Sequence, residues 1–459
     1  MIANIRRIVR FRPTNGRNVV ILKNIVASFA IKGSSLLLAL LTMPAYIRFF
    51  DNQQVLGLWF TIITTLSWIL NFDMGLGNGL RNRLVSALGE NSVEKARGYI
   101  SSTYLVTFGL VVLLGLFLGI LVPLVDWNAV FNVSKENISS ESLTAAVGFI
   151  FAGILAQLLL RTITSILFAL QKAALPALLS LATNASLLAF VLLVEPGTSG
   201  HNVLMLAQAY ALAANLPLVI ATILVFATSL RHCLPWPSAF RFVDAVDVFQ
   251  LGGTFFLLQI LFMLLANTNP FLISRLSDPK DVVDFQVYSR PFTALSTLFV
   301  LALTPIWSAV TEAVVKSDFG WLDQLFKRLS VLAVMTTLVM FAFVPALQPF
   351  VDVWLGANAI HIDPGYALAF AASASVFAWN GVLSSIANGA GILRVQGIML
   401  ALGVALKLLI ASTMTAATGA WIWVVVSDVA ALVPYLVVQS VCLRRFTRNS
   451  GRCGKGAGS

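Results

Sequence analysis

Long apolar stretches, separated by short polar breaks, follow one another along almost the whole chain. Each stretch is 18 to 29 residues long, and about 20 apolar residues suffice for an α-helix to cross a bilayer. The alternation therefore predicts twelve membrane-spanning helices, at residues 19–47, 55–72, 98–122, 143–169, 173–194, 203–229, 248–273, 282–310, 329–346, 367–388, 395–416 and 420–443.

One polar break stands out as a linker, because it contains Pro235, Trp236 and Pro237. It separates two blocks of six predicted spans. Since six is an even number, both blocks start on the same side of the membrane, as in transporters built from parallel repeats. The predicted fold is all-α, with an N-terminal six-helix lobe, a linker, a C-terminal six-helix lobe and a basic tail, at residues 1–230, 231–246, 247–445 and 446–459.

The basic residues between the predicted spans indicate the orientation. Segments on one side, with both termini, hold 22 Lys and Arg, and those on the other side hold 4. Cytoplasmic loops carry the excess of Lys and Arg, so we expect both termini in the cytoplasm. The first apolar stretch is too long for the core of a signal peptide, and we interpret it as a retained first span.

Composition excludes a soluble protein. Hydrophobic residues make up 58% of the chain and charged residues 11%, whereas soluble domains carry about 25% charged residues. The net charge of +11 follows mainly from the cytoplasmic loops, so it does not indicate a nucleic-acid partner. The three cysteines and three histidines show no metal-binding spacing, and we expect no metal site and no cofactor.

Four cations fall inside predicted spans: Lys32, Arg161, Arg290 and Lys407. A charge at the centre of a membrane helix costs about 2.5–3.5 kcal/mol on insertion scales, so each needs a reason. Asp428 is the clear mid-span acid. An interior with this excess of positive charge would select anions, and we take the four cations as candidate substrate-binding groups.

Each cation also has a structural interpretation. Lys32 lies in the middle of the first span and either faces a water-filled cavity, or is paired with a buried acid or hidden between helices. Arg290 precedes Pro291 and either contacts phosphate oxygens, which suit its planar guanidinium, or caps carbonyls that the proline leaves free. Arg161 lies near the inner end of its span and could snorkel to the headgroups.

Lys407 and Asp428 lie at similar depths in the last two spans. Adjacent antiparallel helices would bring them together, which predicts a neutralised structural pair. The functional alternative is that Asp428 releases its partner during transport and serves as the site of proton or cation coupling.

The most distinctive motif is residues 71–84, which read NFDMGLGNGLRNRL. Its alternating glycines do not match the GxGxxG pattern of nucleotide-binding folds, and no strand precedes them. We interpret the motif as a helix end that permits close backbone packing, with Arg81 and Arg83 in the headgroup zone of the membrane lipids.

This motif, followed by ARGYISSTY at 96–104 and YSRPF at 288–292, resembles the polysaccharide-transporter branch of the multidrug/oligosaccharidyl-lipid/polysaccharide (MOP) exporter superfamily, to which bacterial O-antigen and capsule flippases belong. The resemblance implies two lobes around a V-shaped central cavity that opens alternately to each side. It implies an oligosaccharide on a polyprenyl diphosphate as cargo, moved to the outer leaflet of the bacterial inner membrane, and polysaccharide polymerase machinery as a further partner. Carried over by position, Lys32 and Arg290 would contact the phosphates or acidic sugars.

The sequence leaves alternative functions open. A drug or cation exporter of the same superfamily would need a carboxylate where Lys32 stands. A membrane glycan ligase, polymerase or glycosyltransferase would need a site in an outer loop, where His361 and Asp363 are the candidates. We therefore expect a transporter rather than an enzyme. Tyr46, Trp59 and Trp68 could stack on sugars, although packing or interfacial positions suit them better.

Overall fold

The computed structural model describes residues 16–71, 75–90, 92–170, 172, 174–303, 306, 310, 313–314, 317–356 and 359–455. At some positions in these ranges, Lys32 among them, it describes the backbone and not the side chain. Asp73 of the distinctive motif and the basic cluster at residues 6–12 lie outside the described residues.

Helices account for nearly all of the described residues, and no strand occurs among them. They are α1 (Gly16–Phe50), α2 (Gln53–Leu66), α3 (Leu76–Gly89), α4 (Val93–Leu124), α5 (Trp127–Phe131), α6 (Ser140–Leu160), α7 (Thr162–Ala169), α8 (Ala174–Leu193), α9 (Ser199–Ala227), α10 (Phe242–Ala266), α11 (Asn269–Leu276), α12 (Pro279–Leu303), α13 (Phe319–Phe343), α14 (Leu347–Leu355), α15 (Pro364–Ala390), α16 (Leu393–Thr418) and α17 (Ile422–Lys455). Short 3₁₀ turns cover Ser67–Asn71, Arg231–Cys233, Pro237–Ala239 and Val344–Ala346.

The all-α membrane fold predicted from the sequence is confirmed. Among the described residues, ten helical segments are long and apolar enough to cross a membrane, and α10 with α11 makes an eleventh if the bent pair counts as one span. The predicted span at 282–310 overlaps α12, whose first half carries Asp284 and Arg290 and is too polar for that criterion.

The predicted continuous span at 248–273 is wrong in one respect, because the helix breaks between α10 and α11 and bends by 42° there. Asn267 and Thr268 lie at the break, and Pro270 follows at the start of α11. A proline cannot donate the backbone hydrogen bond that would continue a helix through this point. The last helix, α17, continues into the predicted basic tail as far as Lys455.

Side-chain caps fix where several helices begin. Asn52 accepts hydrogen bonds from the backbone N–H groups of Gln54 and Val55 at the start of α2. Asp126 caps α5, Ser139 caps α6 and Asp363 caps α15 in the same manner. Each cap satisfies donors that the first turn of a helix leaves unpaired.

Helices from the first half of the chain pack mainly on one another, and so do those from the second half. In the first half α6 packs on α9, α1 on α8, and α3 on α4; in the second half α17 packs on α15 and α16, and α13 on α15. Contacts between the halves run chiefly from α2 to α12 and from α3 to α10. Whether these halves act as the two predicted lobes stays a prediction.

The contact of α2 with α11 and α12 lies on the predicted outer side. Gly57 of α2 is essential to it, because a Cβ at this position would overlap the carbonyl oxygen of Pro279. Near it, the Thr61 hydroxyl lies 3.5 Å from the carbonyl oxygen of Pro270. The indole of Trp68 donates to the carbonyl of Asn267 at 3.3 Å. Glycine here lets two backbones touch directly.

The contact of α3 and α4 with α10 lies on the predicted cytoplasmic side. A Cβ at Gly79 would overlap the carbonyl oxygen of Val248, so the close backbone packing predicted for the glycine motif is confirmed at this residue. The Ser102 hydroxyl donates to the carbonyl of Arg241 and accepts from its N–H. A half-buried ion pair, Arg83–Asp247, and an exposed one, Arg241–Glu94, flank these bonds. Ion pairs that water reaches add little stability.

The carboxyl group of Asp244 is partly buried just before the membrane-spanning part of α10. Its Oδ2 atom is buried without a hydrogen-bond partner, and burial raises the pKa of its carboxyl group, with the nearby Asp247 adding to the rise and Arg241 opposing it. The folded protein therefore holds this proton more tightly than the unfolded chain, and stability is lost as the pH rises from the usual carboxyl pKa through the raised one.

We expect Asp244→Asn to raise the free energy of unfolding at neutral pH by roughly 1 kcal/mol and to flatten its pH dependence. Thermal unfolding in detergent between pH 4 and 8 would measure this. Asp323→Asn, which removes the pair with the exposed Lys327 and has no contact with Asp244, is the matched control. A variant less stable than the wild type at neutral pH would contradict the prediction.

Candidate functional site

Arg290 lies on α12 where this helix meets α1 and α2. Its guanidinium carbon is 5.5 Å from the centre of the Phe60 ring, which is within the range of a cation–π contact. The Phe60 ring in turn packs edge-on against Tyr46, with 5.9 Å between the ring centres. The arginine is half-buried. A cation is therefore held at the junction of the two halves of the chain, against aromatic rings.

The aromatic residues considered for sugar stacking have packing positions. Tyr46 is 6% exposed and Trp59 is 2% exposed. The Trp59 ring lies between those of Phe50 and Tyr210, at 6.3 and 6.5 Å. Trp68, which is half-buried, belongs to the contact with the helix break through Asn267. Tyr46 and Trp59 are therefore core residues, and Trp68 lies nearer the surface.

Lys32 lies on α1, and its side chain is outside the described residues. Its backbone is 14 residues from Tyr46, which corresponds to about 21 Å along a straight helix. Arg290 lies 11 residues from the predicted outer end of α12 and Lys32 lies 18 residues from that end of α1, so the backbone of Lys32 is deeper by about 10 Å of helix. Whether Lys32 and Arg290 contact one substrate stays a prediction.

Lys407 and Asp428 form the predicted ion pair. The lysine Nζ is 2.8 Å from Asp428 Oδ1, and the two side chains are 0% and 1% exposed. Lys407 also donates to Asn269 Oδ1 at 2.6 Å and to the carbonyl oxygen of Leu265. The other carboxylate oxygen of Asp428 accepts from Asn269 at 2.7 Å and from Ser373 at 3.4 Å.

This buried network connects the break between α10 and α11 with α15, α16 and α17. Leu265 stands just before the break, where the bend leaves its carbonyl oxygen open to the lysine. A buried charge is tolerated when it is paired and its remaining hydrogen-bonding capacity is satisfied, and both conditions are met here. The geometry matches the structural alternative for Lys407, which is enclosed rather than presented to a cavity.

Sequence reasoning missed Asn269 and Ser373, which complete this network. A signal for Asn269 was present, because the run Asn267-Thr268-Asn269-Pro270 interrupts an apolar stretch. Ser373 gave no such signal. A second buried polar cluster was also missed: Ser384 contacts the Tyr435 hydroxyl at 3.1 Å, and Gln396 and Asn380 contact Ser384 at 3.2 and 3.3 Å.

Arg161 is exposed and ends α6 at its junction with α7. Its backbone carbonyl accepts from the Thr164 hydroxyl at 2.7 Å. No described contact brings it together with Arg290 or Lys407. A role for Arg161 in substrate binding stays a prediction.

The candidate enzyme residues lie before α15. Asp363 caps that helix by accepting from the N–H of Tyr366, and its own N–H donates to the hydroxyl of Tyr288 at 2.7 Å. His361 is exposed. These contacts give Asp363 a structural role. No cluster of three or more metal-binding side chains occurs in the part of the chain that the structure describes.

Neither a protein-family model nor a curated protein sequence matches the chain. Solved structures do resemble it. The inward-facing conformation of a multidrug resistance MATE family transporter of the MOP superfamily has a TM-score of 0.70 at 14% identity, covering 93% of this chain and 99% of that one. An outward-facing conformation of such a transporter gives 0.62 at 13% identity, over 94% and 97% of the two chains.

A MOP superfamily transporter from Pyrococcus furiosus, described as having a binding pocket of reverse polarity that suggests a different function, gives 0.63 at 16% identity. That comparison covers 92% of this chain and 96% of the other. The similarity in each case extends over nearly the whole length of both chains. This protein therefore has the fold of the MATE transporters of the MOP superfamily.

Proposed function

We propose that this protein is a membrane transporter that moves an anionic, polyprenyl-diphosphate-linked oligosaccharide from the inner to the outer leaflet of a bacterial inner membrane. The fold supports transport in general, and the charge distribution supports the anionic cargo. Alternating access between the two halves of the chain supplies the movement, with both termini on the cytoplasmic side.

The observation that carries the proposal is the state of Asp428. This mid-span acid is buried in an ion pair with Lys407, so a cationic substrate cannot reach it in this conformation. Arg290, by contrast, lies at the junction of the halves. A cation at that junction attracts phosphates or acidic sugars, and its planar fork can bind two phosphate oxygens at once. The Pyrococcus furiosus transporter with a reverse-polarity pocket is a precedent for a changed substrate charge on this fold.

The vertical separation of Lys32 and Arg290 fits a large cargo. We propose that the diphosphate and the sugars occupy these two levels in turn as the substrate crosses. The lipid tail remains in the bilayer, so only the polar part needs the path between the halves. Asp428 contributes to ion coupling only if the pair with Lys407 opens during transport.

The second candidate function is multidrug export, because solved structures of this fold include multidrug resistance transporters. Such an exporter would change the drug susceptibility of cells and leave surface glycan unaltered. The two candidates therefore differ in a measurable phenotype.

Complementation of a bacterial strain that lacks its own polysaccharide flippase tests the proposal. We expect the wild type to restore surface glycan and Arg290→Ala to reduce the restored amount about tenfold, the loss that accompanies removal of one charged hydrogen-bonding group. Arg290→Lys should restore part of the lost surface glycan. Lys32→Ala tests whether the second cation also contributes to transport. Lys327→Ala, an exposed cation outside the predicted spans, is the control.

Equal expression in the membrane must be shown for each variant by immunoblot. Restoration by Arg290→Ala to the wild-type level would remove Arg290 from the mechanism. Drug resistance conferred by the wild type, without restored glycan in strains that make different polysaccharides, would favour the export function.

A further inference from the structure

A long apolar groove lies between α8 and α9, away from the junction of the two halves. Its volume is about 720 Å³. Leu178, Leu179 and Phe190 line it on one side, and Leu212, Leu216 and Leu224 line it on the other. Leu212 and Leu216 are 71% and 58% exposed, so they face the hydrocarbon of the bilayer. The groove is a concave surface open to lipid.

A basic residue stands at one end of this groove. Lys172 lines it at the predicted cytoplasmic side, and its ammonium donates to the Ser229 hydroxyl at 3.2 Å. No carboxylate pairs with Lys172 among the described residues. Three acids on the predicted cytoplasmic side are engaged elsewhere, in the pairs Glu90–Lys95, Glu94–Arg241 and Asp247–Arg83.

A second cation lies near the same end. Arg81 stacks over the ring of Phe168, with 5.1 Å between the guanidinium carbon and the ring centre, and Phe168 adjoins the groove residue Leu167. Both cations lie at the level where lipid phosphates are expected, and a Lys or Arg there attracts anionic headgroups. The charge at this end complements a phosphate.

The length of the groove distinguishes between classes of lipid. Its lining on α9 runs from Ala209 to Val225, which is about 24 Å of helix. One leaflet of hydrocarbon is about 15 Å thick, half of the bilayer core. A phospholipid acyl chain anchored at Lys172 would end near the middle, whereas a longer single chain would continue along the remaining surface. The far end, near Phe190 and Ala209, offers no described basic side chain for a second headgroup.

We propose that this groove binds the chain of a polyisoprenoid lipid phosphate, with the phosphate at Lys172. The inference rests on the proposed function, because it gives the lipid part of the cargo its own docking surface on the first half of the chain. It would hold the substrate beside the transporter while the polar head enters between the halves.

Binding to the full-length protein in phosphatidylcholine nanodiscs tests this. The probe is a radiolabelled C55 polyprenyl diphosphate, with a C15 diphosphate and phosphatidylglycerol as competitors. We expect Lys172→Ala to weaken binding of the C55 lipid about fivefold, the contribution of one basic residue at a membrane surface. Ala213→Trp, which fills the groove, should weaken it by about fivefold or more.

Two substitutions of the same kind outside the groove are the controls. Ala156→Trp places the same bulk on an exposed position of α6, and Lys327→Ala removes an exposed lysine elsewhere. Both should bind the C55 lipid as the wild type does, and size-exclusion profiles should show that all variants are folded. If Ala213→Trp does not fold, Ser186→Trp fills the same groove from α8.

Wild-type affinity in both groove variants would overturn the proposal. Competition by phosphatidylglycerol as strong as that of unlabelled C55 lipid would also overturn it, because the groove would then hold ordinary phospholipid. Equal competition by the C15 diphosphate would refute the length argument. Lipid binding is measured without transport, so specific C55 binding alongside failed complementation would reject the proposed flipping and leave the groove assignment intact.

Discussion

Asp428→Ala is expected to lower the free energy of unfolding by about 3–5 kcal/mol, the usual cost of removing one partner of a buried ion pair. The substitution would leave the ammonium of Lys407 enclosed, with 0% exposure and no carboxylate to neutralise it. It would also leave the amide of Asn269 without an acceptor. Chemical denaturation in detergent micelles, followed by tryptophan fluorescence, would measure the loss.

A second pair of variants separates the charge from the packing. Replacing both partners, as Lys407→Met with Asp428→Leu, should recover much of the lost stability, since apolar replacement of a whole buried pair is often neutral. Asp323→Ala removes a Lys–Asp pair with an exposed lysine and should change stability by only about 0.5 kcal/mol. A single Asp428→Ala variant as stable as Asp323→Ala would show that the ion pair is not needed for folding.

Gly57→Val should open the contact between α2 and the α11–α12 segment. The added Cβ would meet the carbonyl of Pro279, and backbone on both sides leaves no flexible side chain to move aside. Overpacking of this kind costs about 1–3 kcal/mol. If the fold has a second arrangement with these helices apart, that cost shifts the population toward it by roughly fivefold or more.

Labelling of a buried reporter would measure the opening. Thr61→Cys, at a position with 0% exposure in this contact, is placed in a variant whose native cysteines are replaced by serine. We expect Gly57→Val to increase its reaction with a membrane-impermeant maleimide added from outside. Gly119→Val, where an added side chain meets nothing within 4 Å, is the control. Unchanged labelling in Gly57→Val would contradict a movable contact.

Periodicity and charge were sufficient to predict the all-α membrane fold and most of the spans. They also predicted that Lys407 and Asp428 meet, because two adjacent helices of known direction fix relative depth. The close approach at Gly79 followed from glycines at alternate positions. These features depend on local sequence or on neighbouring helices.

Other features depend on contacts between distant parts of the chain. The helix break at Asn267 and Thr268 gives no signal in hydropathy, because the residues on either side are apolar. Lys407, which is about 140 residues distant in sequence, stabilises the break. The aromatic surroundings of Arg290 come from Phe60 and Tyr46. Such partners are set by the packing of whole helices, which hydropathy does not describe.

The shared use of one lysine by a carboxylate and a helix break has an evolutionary consequence. Because Lys407 both pairs with Asp428 and donates to the carbonyl of Leu265, loss of the lysine alone would leave a buried carboxylate and a buried carbonyl without their partner. Divergence at Asn269, Lys407 and Asp428 should therefore proceed by concerted replacement. Among descendants of a common ancestor, we expect these three positions to covary, and a lineage with a straight helix in place of the break should lack the lysine and the acid together.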